Sequence, residues 1–304
     1  MQALWMLLAT LLFAFMGVCV KLASAYYSAA ELIFYRGLIG AVCLGLLARS
    51  QGVTLKTRYP GMHAWRSLIG VISMGGWFYA IGFLPLATAV TLNYMSSIWI
   101  ATFIVGGSLL AWRPLRPGPS PLAQGPLSLT VLIGFAGVLM IMRPSIDNSQ
   151  MFAGLIGLLS GMLAAFAYMQ VVALARVGES ETRTVFYFAV GCCLAGGLVA
   201  LATGLSPWNW QGAIWLLPVG ILAAMAQLCM TRAYSRSQGH MGTLLVANLQ
   251  YSGIIFSSIL GMLVFAEHIP PIGWAGMGLI ILSGVLASIL RARVAPQVLS
   301  LIHI

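Results

Sequence analysis

The chain has 304 residues, 61% of them hydrophobic and only 7% charged, with fifteen Lys and Arg against five Asp and Glu. Soluble domains carry about a quarter charged residues, so this composition excludes a water-soluble fold and requires a bilayer. The net charge of +10 does not point to nucleic acid as a partner, because no basic stretch is long enough to follow a phosphate backbone.

A membrane-spanning helix needs ~20 mostly apolar residues. Ten such runs follow one another, at roughly 3–21, 31–48, 65–83, 88–111, 127–142, 152–174, 184–203, 212–231, 242–265 and 272–290. The first is a span and not a secretory leader, since its positive residue, Lys21, follows the apolar run instead of preceding it. The second holds Arg36 one turn inside. The third brings Trp77 and Tyr79. The fourth places Thr91, Met95, Trp99, Thr102 and Gly106 along one helical face, with Asn93 beside them. The sixth brings Tyr168 and Gln170, the eighth Gln227, and the ninth Asn248 and Gln250. Prolines punctuate the loops and span ends, and only Pro218 falls well inside a span. The loops are short, so no separate soluble module is expected.

Positive residues resist translocation. With the N-terminus in the cytoplasm, twelve Lys and Arg lie on the cytoplasmic side: Arg49, Lys56, Arg58, Arg66, Arg113, Arg116, Arg176, Arg183, Arg232, Arg236, Arg291 and Arg293. Three, Lys21, Arg36 and Arg143, lie on the other. Both termini are therefore expected inside.

The chain also repeats itself. Leu7-Leu8 and Ala14-Phe15 return as Leu158-Leu159 and Ala165-Phe166 at an offset of 151, and Gly40 falls on Gly191 at the same offset. Gly137-Val138-Leu139 returns as Gly284-Val285-Leu286 at an offset of 147. The fold expected is all-α and integral to the membrane, with ten helices in two repeats, 1–143 and 152–291, and a cytoplasmic tail, 292–304. Five spans per repeat is an odd number, so the second repeat must be inverted, the arrangement that underlies alternating access.

Several stretches resemble the EamA branch of the drug/metabolite transporter superfamily. They are Glu31-Leu-Ile-Phe-Tyr-Arg36-Gly37, the hairpin Ala80-Ile-Gly-Phe-Leu84-Pro85-Leu86-Ala87, and Phe265-Ala266-Glu267 followed by Gly276 and Gly284-Val285. Where that family often has Pro in the fourth and ninth spans, this chain reads Ser96-Ser97 and Gln250-Tyr251. Where it often has Glu after the fourth span, this chain reads Trp112-Arg113-Pro114. The resemblance, which is greatest to bacterial aromatic amino-acid exporters, implies inner-membrane export of amino acids or related metabolites through a cavity lined by spans 4, 6, 8 and 9.

The residues themselves suit that reading. The five acids, Glu31, Asp147, Glu179, Glu181 and Glu267, all lie at span ends or in loops. No carboxylate at mid-depth is available as a proton or cation relay, so facilitated export is favoured over proton coupling. No Ser/His pair, paired aspartates or metal-ligand spacing occurs within a span, so no enzyme activity, cofactor or metal is expected. Buried amides in lipid either join helices or line a solvated cavity. The candidate substrate residues are Tyr79, Asn93, Met95, Trp99, Tyr168, Gln227, Asn248 and Gln250, whose aromatic and amide groups suit a zwitterion with an apolar side chain. Arg36 and His240 are the candidate gating or coupling residues: Arg36 either snorkels, pairs with a helix end or binds a substrate carboxylate, and His240 is of the one residue type able to change charge near neutral pH. Two other readings stay open. One is a nucleotide-sugar or sugar-phosphate carrier, which wants several cations in the cavity. The other is a membrane scaffold or intramembrane enzyme.

Overall fold

The structure is a computed structural model describing residues 2–96, 98–99, 102–103, 125–141, 148–236, 246 and 248–301. Ten helices and no strands occur among the described residues: α1 (Gln2–Ala23), α2 (Ala29–Ser50), α3 (Pro60–Phe83), α4 (Leu86–Asn93), α5 (Gly125–Ile141), α6 (Asn148–Arg176), α7 (Glu181–Thr203), α8 (Trp210–Ser235), α9 (Ser252–Phe265) and α10 (Pro271–Leu301). Five of them, α1, α2, α6, α7 and α8, are long and apolar enough to cross a bilayer. The exterior is itself apolar, with Leu46, Leu198 and Leu263 66%, 69% and 77% exposed, as lipid contact requires.

Local chemistry sets the helix ends. Ser28 and Glu31 form a reciprocal capping box at the start of α2. Ser180 accepts from the Arg183 amide at the start of α7, and Asn209 accepts from the Gln211 and Gly212 amides at the start of α8. Pro60 opens α3, where its missing amide donor costs nothing. Helix α10 runs on to Leu301, past the expected end near 290, because leaving the bilayer ends a span and not a helix.

The strongest packing joins the first five helices to the last five: α2 with α7, α1 with α8, α3 with α6, and α5 with α10, while α4 lies against α9. At the α2–α7 crossing the backbones nearly touch. A Cβ on Gly37 would overlap the Cys193 amide and lie 2.6 Å from the Ala189 carbonyl, and one on Gly196 would lie 2.6 Å from the Phe34 nitrogen. Backbone cannot yield as a side-chain tip can. Gly37→Leu is therefore expected to destabilise the protein by about 3 kcal/mol or more, seen as a lower Tm in detergent. Gly278→Leu, where nothing lies within 4 Å, should leave Tm nearly unchanged.

Spans four and nine differ from the expected continuous helices. Helix α4 stops at Asn93, turns through Tyr94 and Met95, and a new helical turn begins near Ser96. Before α9 the chain turns through Gln250 and Tyr251. Hydropathy cannot register such breaks, because the residues on either side remain apolar. The break in span four has local causes. The Thr91 hydroxyl bonds back to the Ala87 carbonyl at 2.6 Å, a bond that competes with the helix ladder. The Asn93 amide is drawn across to Ser160 at 3.1 Å. Both breaks carry a leucine, a side-chain amide and a tyrosine in the same order, Leu92-Asn93-Tyr94 and Leu249-Gln250-Tyr251, and they approach each other where Tyr94 covers Gly253.

Candidate functional site

A cavity of about 40 Å³ lies between the two sets of five helices. It is room for a few waters, well short of the ~300 Å³ or more of a formed ligand pocket. Its walls come from both sets: Phe13 of α1; Arg66, Ser73 and Trp77 of α3; Asn93 and Tyr94 at the break; Tyr168 of α6; Phe188 of α7; and Gln227 of α8.

Three of the expected residues meet here. Asn93 donates to the Ser160 hydroxyl, and Ser73 donates to the Ser160 carbonyl at 2.8 Å, so the break is tied to α3 and α6. Tyr168 accepts from the Gln250 amide at 3.1 Å and stacks on Tyr234, whose hydroxyl lies 3.4 Å from the Gln250 carbonyl oxygen. Gln250 thus holds a cavity residue from behind. Gln227 borders both this cavity and a smaller one, of about 10 Å³, beside Arg36.

Other expected residues lie elsewhere. Tyr79 faces a separate apolar groove between α3 and α6, packed on Phe83 and Phe152. Trp99 donates to the Leu158 carbonyl at 3.2 Å and packs on Phe103 and Phe135, which satisfies a mid-depth indole without a cavity. Met95 is wholly buried in the apolar core. The Asn248 side-chain oxygen is buried without a hydrogen-bond partner, away from the cavity wall. His240 lies outside the described residues.

The arginines differ most from expectation. Arg66, counted among the cytoplasmic flanking charges, is 3% exposed and lines the cavity. Its guanidinium lies 4.1 Å from the centre of the Phe188 ring and folds against Gly70, where any Cβ would collide with Nη1. Arg36 neither snorkels nor pairs with a helix end. It is 4% exposed, lies 5.3 Å from the same ring and donates to the Cys192 sulfur at 3.3 Å. The Nε of both arginines and Nη1 of Arg66 have no hydrogen-bond partner. Guanidinium stays protonated in proteins, so two positive charges share a low-dielectric interior. Among the described residues no carboxylate pairs with either. Glu31 is bound to Ser28 and Ser206, Glu179 to Thr57 and Arg183, Glu181 to Arg232 and Ser235, and Glu267 to Lys21 and the Leu86 amide. One sequence signal could have found Arg66. Counting α3 from Pro60 places it nearly two turns inside the helix, with Gly70 one turn further on.

Lipid-facing apolar helices around an interior cavity that carries Arg66, Ser73, Asn93 and Gln227 mark a multi-pass membrane protein. No protein-family model matches the chain. The pseudopaline exporter CntI of Pseudomonas aeruginosa is 30% identical over 280 residues, covering 91% of this chain and 92% of that protein. The chain therefore belongs to the same family of membrane transporters. An uncharacterized transporter of Helicobacter pylori is 26% identical, covering 93% of each chain. A crystal structure at 20% identity superposes with a TM-score of 0.64 over 96% of this chain and 97% of that one, which shows a shared fold.

Proposed function

We propose that the protein exports amino acids, aromatic ones foremost, or closely similar small metabolites across the inner membrane by alternating access. It would belong to the EamA branch of the drug/metabolite transporter superfamily. The observation that carries the reading is the cavity walled by both sets of five helices, because a site there can be exposed to either side when the sets rock.

The packing supports two inverted repeats, 1–143 and 152–291. Exchanging each helix with the one five places along turns α1–α8 into α6–α3 and α2–α8 into α7–α3, and all four pairings occur. It returns α2–α7, α4–α9 and α5–α10 to themselves. The loop after α2 meets the turn after α6 through Thr57 and Glu179, so α1 and α6 run in opposite senses. With Arg66 and Arg36 drawn into the interior, the flanking count falls from twelve against three to eleven against two and still supports both termini in the cytoplasm. Export, rather than uptake, is supported by the relative named as an exporter.

In this reading Asn93, Tyr168 and Gln227 contact the substrate, Trp77 and Phe13 receive its apolar side chain, and Gln250 positions Tyr168. Met95 and Trp99 stiffen the segment after the break, and Tyr79 stiffens the α3–α6 contact. Counterflow of labelled phenylalanine, tyrosine and tryptophan in proteoliposomes is the test. Gln227→Leu is expected to slow exchange about tenfold, the effect of removing one buried hydrogen bond to a substrate. Exchange of sugars or nucleotides with no exchange of any amino acid would refute the substrate reading.

A further inference from the structure

Outside the acids already paired, the least accounted-for feature of the molecule is the pair of arginines. Arg66 opens onto the cavity, and Arg36 lies behind Phe188 and Gln227, which both cavities share. A buried unpaired charge is among the costliest features a fold can carry. The ring of Phe188 offsets part of that cost for each guanidinium. It leaves the Nε and Nη1 donors of Arg66 unsatisfied. A structural role would be met more cheaply by Met or Leu at either position, and among the described residues no anionic group lies against the Arg66 fork. The glycine at position 70 gives the guanidinium its place beside the cavity, which a side chain there would deny it.

We infer that the transported molecule is an anion whose oxyanion groups are bound by Arg66 and Arg36. The site is matched to a cargo of charge −2 better than to a simple zwitterion. The inference rests on the alternating-access transport reading above and narrows its cargo to anionic relatives of the aromatic amino acids, in place of the free zwitterions. Guanidinium presents a planar fork that fits carboxylate and phosphate alike, so the shared chemistry is an oxyanion, and probes of both kinds separate the two. With two fixed positive charges and, among the described residues, no carboxylate beside them, each negative group brought in neutralises a charge that the fold leaves bare. The aromatic wall of Trp77 and Phe13 receives the apolar remainder.

The test uses the full chain purified in detergent, with ligand affinity read from thermal stabilisation. The probes are benzylsuccinate (two carboxylates), N-acetyl-L-phenylalanine (one), phenyl phosphate and L-phenylalaninamide (a cation). Benzylsuccinate is expected to bind most tightly of the carbon acids and L-phenylalaninamide not at all. Phenyl phosphate binding more tightly than benzylsuccinate would support the same site and make phosphate its preferred oxyanion. Arg66→Gln should weaken every anion by more than about tenfold, while Arg66→Lys recovers part of the loss. Equal binding of the amide and the acids by the wild-type protein overturns the inference, and so does unchanged benzylsuccinate affinity in Arg66→Gln. The wild-type comparison decides the matter even if the variant does not fold. Amino-acid counterflow without any charge preference would remove this inference and leave the transport reading standing. Arg66-dependent anion binding without counterflow of any solute would do the reverse.

Discussion

Replacing Glu267 with glutamine is expected to lower the Tm, and to lower it less when Lys21 is replaced at the same time. The carboxylate sits at the end of α9, where Ala266 takes a left-handed conformation (φ 50°) and turns the chain back on itself. That turn brings Glu267 against Gly261, which has no Cβ to obstruct it. Both carboxylate oxygens accept from the Leu86 amide at 3.0 Å, and one forms an ion pair with Lys21. Lys21 also donates to the Leu84 carbonyl at 2.9 Å. The Leu86 amide belongs to the first turn of α4, where no helical acceptor exists and the helix dipole favours a negative charge. One carboxylate therefore satisfies a cation from α1 and the start of α4, both in the first five helices, from a position in the last five. Glutamine keeps the volume but removes the charge, leaving Lys21, 19% exposed, without its counter-ion. Because the pair is partly exposed, a cost of about 1–3 kcal/mol is expected, below that of a fully buried pair. A double-mutant cycle with Lys21→Met and Glu267→Gln should give a coupling above about 1 kcal/mol. Strictly additive losses would show that the two side chains are near each other without stabilising each other. If the two sets of helices rock, this contact must break whenever that end opens, so the same variant should also change the transport rate.

The membrane fold was legible because its determinants are local and repeated. Apolar runs of the right length, prolines at their ends and the Ser28-x-x-Glu31 capping pattern all act within a few residues. What escaped was decided between helices. Gly161 allows α6 to approach the Leu92 carbonyl, and that approach meets span four at its break, while hydropathy registers only an uninterrupted apolar run. Depth alone marks Trp99 as a cavity aromatic, because it cannot show that the Leu158 carbonyl satisfies the indole. Arg66 follows Lys56 and Arg58 closely in the chain, so a count of charges places it with the flanking loop, while only its register within α3 turns it toward the cavity. That Asn93, Tyr168 and Gln227 border an interior cavity is legible in the sequence for the opposite reason. A polar side chain at membrane depth must find a partner or a cavity, so its type and position already limit what it can do.

At the other end of the molecule, the acid stability of the protein is expected to depend on Glu179. This carboxylate, 3% exposed, lies in the turn between α6 and α7. It accepts from the Thr57 hydroxyl at 2.8 Å and from Arg183 at 2.9 Å, and His63 lies 3.4 Å away, stacked on Tyr187. Arg183 and Tyr187 also hold the Thr54 and Leu55 carbonyls, so the loop after α2 is strapped to the start of α7. Burial alone would raise the Glu179 pKa. The bonds from Thr57 and Arg183, the charge of Arg183 and the nearby His63 outweigh it and hold the group below its ordinary value of 4.5. A carboxyl whose pKa is depressed by folding stabilises the native state fully above the unfolded value, and that contribution is lost as pH falls through the folded value. Wild-type Tm should therefore be flat with respect to this group at neutral pH and decline below about pH 4.5. Glu179→Gln should be less stable by about 1–3 kcal/mol at pH 7, the cost of leaving the partly buried Arg183 unpaired, and its disadvantage should shrink as the solution is acidified. The difference between the two proteins isolates this group from the other acids. A constant gap from pH 7 down to pH 3 would show that Glu179 contributes hydrogen-bond geometry and not charge. The strap and the Glu267 clamp lie at opposite ends, and each joins the first five helices to the last five. Alternating access would require one to hold while the other parts, so Glu179→Gln should favour opening at that end.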